Sequence, residues 1–119
     1  MDAIWKHGKY LDTWSIVHFL SGCLLAILFY KLDLSFGVAL LISLLILIAW
    51  EVFEWSIKII EPSLNVITDL IVGFLGVLVG AYPHYVLNVS FGGYFYVLLG
   101  FTVLLATWGF LDFLKRGYR

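Results

Sequence analysis

Four long apolar runs, separated by short polar breaks, make up most of this chain. Roughly Thr13–Tyr30, Ser35–Ile57, Val66–Pro83 and Gly93–Leu114 each come close to the twenty or so residues that carry a helix across a bilayer. The breaks carry turn chemistry. Lys31-Leu32-Asp33 closes the first run, and Glu61-Pro62-Ser63 closes the second with a proline that cannot continue a helix. Asn88 to Gly93 closes the third. The runs are too long for strands and do not alternate. The predicted fold class is all-α: a compact bundle of four transmembrane helices forming a single domain over residues 1–119.

Composition makes the membrane reading firm. Of the residues, 63% are hydrophobic and 13% charged, with a mean hydropathy of +1.04. A soluble domain this small has to wet its outside and has nowhere to put so much apolar surface. The net charge of −1 says little about partners, and no basic block points to nucleic acid, so no nucleic-acid partner is expected. The one cysteine, Cys23, sits inside an apolar run, so it reads as a small packing residue and no disulfide framework is expected. The first run is not read as a signal peptide, being long, bearing His18 and lacking a small-x-small cleavage site.

With four spans, both termini and the second connection share one side. That side holds Lys6, Lys9, Lys58, Lys115, Arg116 and Arg119, against Lys31 alone on the other. The excess of basic residues predicts cytoplasmic termini in a multi-pass cell-membrane protein. The tryptophans at 5, 14, 50, 55 and 108 suit interfacial belts.

Against this apolar background the polar residues inside the runs are few, and they converge in depth. His18 lies about 9 Å beyond Asp12, itself a natural N-cap. Glu51 lies about 9 Å before Ile57, with Glu54 one turn nearer the surface. Asp69 follows Asn65 by about 6 Å. Three helices thus bring His18, Glu51, Glu54, Asn65 and Asp69 to one cytoplasmic-side layer. Spacing also selects faces. Glu51 and Glu54 are i,i+3, and Asn65 and Asp69 are i,i+4. Gly73, Gly76 and Gly80 extend the Asp69 face, and Ser15, His18 and Gly22 align on the first span. Such small-residue faces let a neighbouring helix approach closely, so the polar groups point at protein.

Ordinary roles exist for most of these groups. Glu54 could pair with Lys58, His18 could be a hydrogen-bonded core histidine, and Asp69 with Asn65 could serve a helix N-terminus. Glu51 is harder to accommodate, because its i+4 neighbour is Trp55 and its short side chain is too deep to reach water easily. Three ionised carboxylates in one layer repel. One remedy is a divalent metal ion (zinc, manganese, magnesium or iron) with His18 as nitrogen ligand and Glu51, Glu54 and Asp69 as oxygen ligands. The other is a protonated carboxylate in a proton-exchanging cluster. Three functions stay open on this basis. The first is a metal-assisted membrane enzyme acting on a lipid or lipid-linked substrate, with Glu51 or Glu54 as catalytic base. The second is the proton- or cation-binding site of a small homo-oligomeric transporter, for which Tyr82, His84 and Tyr85 are the polar candidates on the far side. The third is a structural or accessory membrane protein whose acids fix helix packing.

Three stretches, in order, resemble the small VanZ-like and YjdF-type bacterial membrane proteins: "DTWSIVHFLSG", "WEVFEW" and "NVITDLIVGFLGVLVG". The pattern is strongest toward the second group, through His18-Phe19, Glu51-x-x-Glu54-Trp55 and Asp69 followed by its glycines. The resemblance runs over about residues 12 to 80. It implies a multi-span fold with the site at these residues. Members are largely of unknown biochemistry, VanZ itself being linked to glycopeptide (teicoplanin) resistance, so the resemblance implies no reaction. This chain is shorter than the usual YjdF-type protein and lacks the VanZ-type arginine after the acidic pair. Its fourth span carries no family motif.

Overall fold

A computed structural model describes residues 13–56 and 63–116. Four helices account for most of them: α1 (Thr13–Lys31), α2 (Phe36–Ser56), α3 (Ser63–Ala81) and α4 (Tyr94–Arg116). No strand occurs among the described residues. All four helices are long and apolar enough to cross a membrane. The ends expected from sequence shift by a few residues, most at α3, which starts at Ser63 rather than Val66. Asp12, Lys58 and the Glu61-Pro62 turn lie outside the described residues, as do Trp5, Lys6, Lys9 and Arg119.

Local chemistry fixes the visible ends. At the close of α1, Asp33 takes a left-handed φ of 63°. Its N–H donates to the Tyr30 carbonyl at 3.0 Å, and that of Leu34 to the Phe29 carbonyl at 3.0 Å. This pair of bonds satisfies carbonyls that a helix terminus otherwise leaves open, and aspartate is among the few residues that tolerate the conformation. Ser35 then starts α2, its hydroxyl accepting from the Val38 N–H at 3.3 Å. At the end of α3, Pro83 has no N–H to give. The chain responds by widening into a five-residue π-helical turn, Tyr82–Val86. Asn88, at φ 59°, ends it.

The α1–α3 pair is the heart of the packing. A Cβ placed on Gly76 would fall on the Phe19 carbonyl, and one on Gly22 would fall on the Gly73 carbonyl. One on Gly80 would stand 2.6 Å from the Cys23 carbonyl oxygen. From Phe19 to Cys23 on α1 the partner moves from Gly76 to Gly80 on α3, so the two helices run parallel with their backbones in touch. Gly73 instead faces the Leu47 side chain of α2, at 3.0 Å from its added Cβ. Gly76 and Gly80 of α3 and Gly22 of α1 therefore lie in the close-packed face that the sequence predicts, while Gly73 stands at its edge toward α2. A core of Ala26, Leu47, Val77 and Ala81 joins α1, α2 and α3.

The remaining helix, α4, lies antiparallel on α1. Trp14 and Val17 meet Leu105 and Ala106 at one end, and Leu24 and Ile27 meet Phe95 at the other. Of the described tryptophans only Trp14 is buried, while Trp50, Trp55 and Trp108 are exposed on the outside of the bundle.

Candidate functional site

The three helices that touch in the core also bring the polar residues together. His18 comes from α1, Glu51 and Glu54 from α2, and Asn65 and Asp69 from α3. His18 is 6% exposed, Glu54 2%, Asn65 0% and Asp69 1%. Ser15, one turn before His18, is buried as well. One ligand atom from each of His18, Glu51 and Glu54 lies within 4.8 Å of the other two. The Nε2 of His18 is 3.2 Å from Oδ2 of Asp69. The close donor group is thus one imidazole and two carboxylates, and Asp69 reaches it through His18.

The two glutamates divide differently from what depth alone implies. Glu54, one turn nearer the helix end, is among the most completely buried side chains, while Glu51 is half-buried. Helix rotation is the reason. The inward stripe of α2 runs through Ala39, Ser43, Leu47 and Glu54. Glu51 stands at the edge of that stripe.

The donor set fits a divalent cation. Two ligands bonded to one ion at about 2.0–2.2 Å are at most about 4.4 Å apart. The 4.8 Å spread is within a small side-chain movement of that limit. An imidazole with two carboxylates suits the borderline and hard metals rather than a thiolate-seeking one.

No match is found among protein-family models, curated proteins or solved structures.

Beside the polar group lies a cavity of ≈ 650 Å³. Its floor is α1, and its walls are the Ile46–Trp50 part of α2 and most of the length of α4. His18 belongs both to this wall and to the donor group. The cavity is not foreseen by the sequence pattern. The α1 residues that line it do recur at helical spacing, as Trp14, Val17, Ser21, Leu24 and Leu28. On α4 the lining residues Phe95, Leu99, Thr102, Ala106 and Phe110 keep a similar spacing, but the largely apolar faces around them do not set that stripe apart.

At the opposite end of α3, His84 is 1% exposed. Its Nδ1 is 2.8 Å from the Val89 carbonyl, which can only accept, so Nδ1 carries the hydrogen. Its Nε2 therefore accepts from the Tyr94 hydroxyl. The Tyr30 ring covers it at 4.8 Å between centroids. Tyr85 donates to the Leu34 carbonyl at 2.7 Å. These residues tie the π-helical turn to the start of α4 and to the α1–α2 connection.

Proposed function

We propose that this chain is a multi-pass membrane protein of the VanZ-like and YjdF-type kind, with cytoplasmic termini. We further propose that His18, Glu51 and Glu54 bind a divalent metal ion and act on a lipid or lipid-linked substrate. The observation that carries this reading is the dual position of His18, in the donor group and in the wall of an apolar cavity. A chain of 119 residues offers little space for a substrate, yet ≈ 650 Å³ falls in the range of ordinary small-molecule sites. The basic residues gathered at the termini support the orientation. The stretches that carry the family resemblance contain each of the clustered residues.

His18, Glu51 and Glu54 would hold the ion, which when bound supplies Lewis acidity and a water of lowered pKa. Glu54, wholly buried, acts as a ligand. Glu51, at the rim of the inward stripe but with both carboxylate oxygens shut from solvent, takes the part of general base through the oxygen that does not hold the ion. Asp69 positions the His18 ring from the neighbouring helix. A cation also relieves the repulsion of carboxylates drawn together in a dry interior.

Elemental analysis of purified protein tests this directly. Stoichiometric zinc, manganese, magnesium or iron is expected in the native protein and a large loss in Glu51→Gln and Glu54→Gln. Absence of metal from the native protein, after growth and purification without chelators, overturns the metal assignment.

A further inference from the structure

The cavity against α1 is long and thin. Its α1 floor extends from Trp14 to Leu28, about 21 Å at the helical rise. Spread over that length, ≈ 650 Å³ averages about 30 Å² in cross-section. That width suits a single slender hydrocarbon chain. Water is a poor occupant, because almost all of the wall is hydrocarbon. One of the few hydroxyls there, that of Thr102, already donates to the Leu98 carbonyl at 2.7 Å within its own helix.

The groove has direction as well as width. Its conspicuous polar wall residue is His18, near the end where Trp14 and Trp50 stand. From His18 to Leu28 is about 15 Å, half of the roughly 30 Å hydrocarbon core. The two helices flanking the groove, α2 and α4, hardly touch each other among the described residues. Both turn large apolar side chains outward, Leu41 and Leu45 on α2, Val97 and Leu104 on α4. The way in is therefore from the side, where the bilayer is.

We propose that this groove holds one linear acyl chain of a membrane lipid, lying along α1 with the chain's polar end at His18. The proposal rests on the membrane and site assignments made above and names the substrate class they imply. Leu28 and Phe95 line the end remote from His18, where the tail of the chain would lie.

The test uses the full chain in vesicles containing a phosphatidylglycerol with one palmitoyl chain bearing a mid-chain diazirine. After illumination, adducts are mapped by peptide mass spectrometry. Labelling is expected to concentrate on groove residues Leu24 and Leu99 over the outward-facing Leu41 and Val97. It should fall to the outward level in Ser21→Phe and in Ala106→Trp, which fill the groove from opposite helices; helical circular dichroism and monodispersity identify a filled variant that has folded. Equal labelling of groove and outward positions, labelling that survives the filling, or chain-to-chain cross-links through the groove overturn the proposal. Metal content of the same samples separates the two readings. Concentrated labelling without metal overturns the metal site alone, and metal with even labelling overturns the groove alone.

Discussion

The Nε2 of His18 on α1 stands 3.2 Å from Oδ2 of Asp69 on α3, with both side chains shut away from solvent. In a dry interior this contact does two jobs. It joins the two helices whose backbones touch through glycine, and it fixes the orientation of an imidazole that the donor group shares. Breaking a buried pair leaves one partner stranded, at a cost of about 3–5 kcal/mol. Asp69→Ala is expected to lower unfolding stability by that order in detergent. Asp69→Asn, which keeps the shape and a hydrogen-bonding group, should retain the fold and weaken metal affinity roughly 10–100-fold, as loss of a ligand-orienting carboxylate does elsewhere. Denaturant titration and metal-binding isotherms measure the two effects separately.

Glycine substitutions should split into two classes. Gly76→Ala places a methyl group on the Phe19 carbonyl, where backbone must move, and Gly22→Ala does the same at Gly73. Losses of about 1–3 kcal/mol or more are expected from such overpacking. Gly37 and Gly100 have no neighbouring atoms within 4 Å of an added Cβ. Alanine at either position should be neutral or stabilising by up to about 1 kcal/mol. Thermal melting of the four variants side by side checks the contrast.

Metal removal provides a third expectation. A ligand that binds only the folded state at a hundred times its Kd adds about 2.7 kcal/mol of stability. Chelation should lower the melting temperature of the native protein reversibly. The double variant Glu51→Gln with Glu54→Gln should melt at the same temperature with and without chelator.

Far from the donor group, His84 is engaged at both ring nitrogens, by Val89 and Tyr94. Tyr94→Phe removes one hydrogen bond to a buried acceptor and should cost about 1–3 kcal/mol. Metal content should not change. In liposomes, acid-driven cation flux should be no greater for the native protein than for empty vesicles; flux that depends on His84 and Glu51 would favour the transporter reading instead.

Much of this architecture is legible in the amino-acid sequence, and the reasons differ from part to part. The spans are legible because a bilayer sets a length that α1 to α4 all meet. The glycine face is legible because Gly73, Gly76 and Gly80 keep helical spacing and have no side chain to suggest anything else. The convergence of His18, Glu51 and Glu54 follows from counting residues inward from each helix end. Depth does not give rotation, however. An apolar helix such as α2 has no wet face to betray its inner one, so the deeper burial of Glu54 relative to Glu51 stays hidden. The groove is hidden for a related reason: the shape of a gap between helices depends on their tilt and separation, which the spacing of residues along α4 does not encode. Pro83 announces the end of α3 but not the π-helical turn, since a proline says where a hydrogen bond is lost and not how the next ones regroup.

The parallel contact of α1 and α3 also constrains how the molecule is made. Gly22 and Gly73, like Cys23 and Gly80, lie more than fifty positions apart in the chain. No helical hairpin between successive spans can form this interface. While the chain is being synthesised, α1 and α2 must enter and wait with the close-packing face of α1 uncovered, and the imidazole of His18 with it. Only the arrival of α3 closes that face. Closing this face is a long-range encounter, and the docking of α4 on α1, which joins Trp14 to Leu105, is a longer one still.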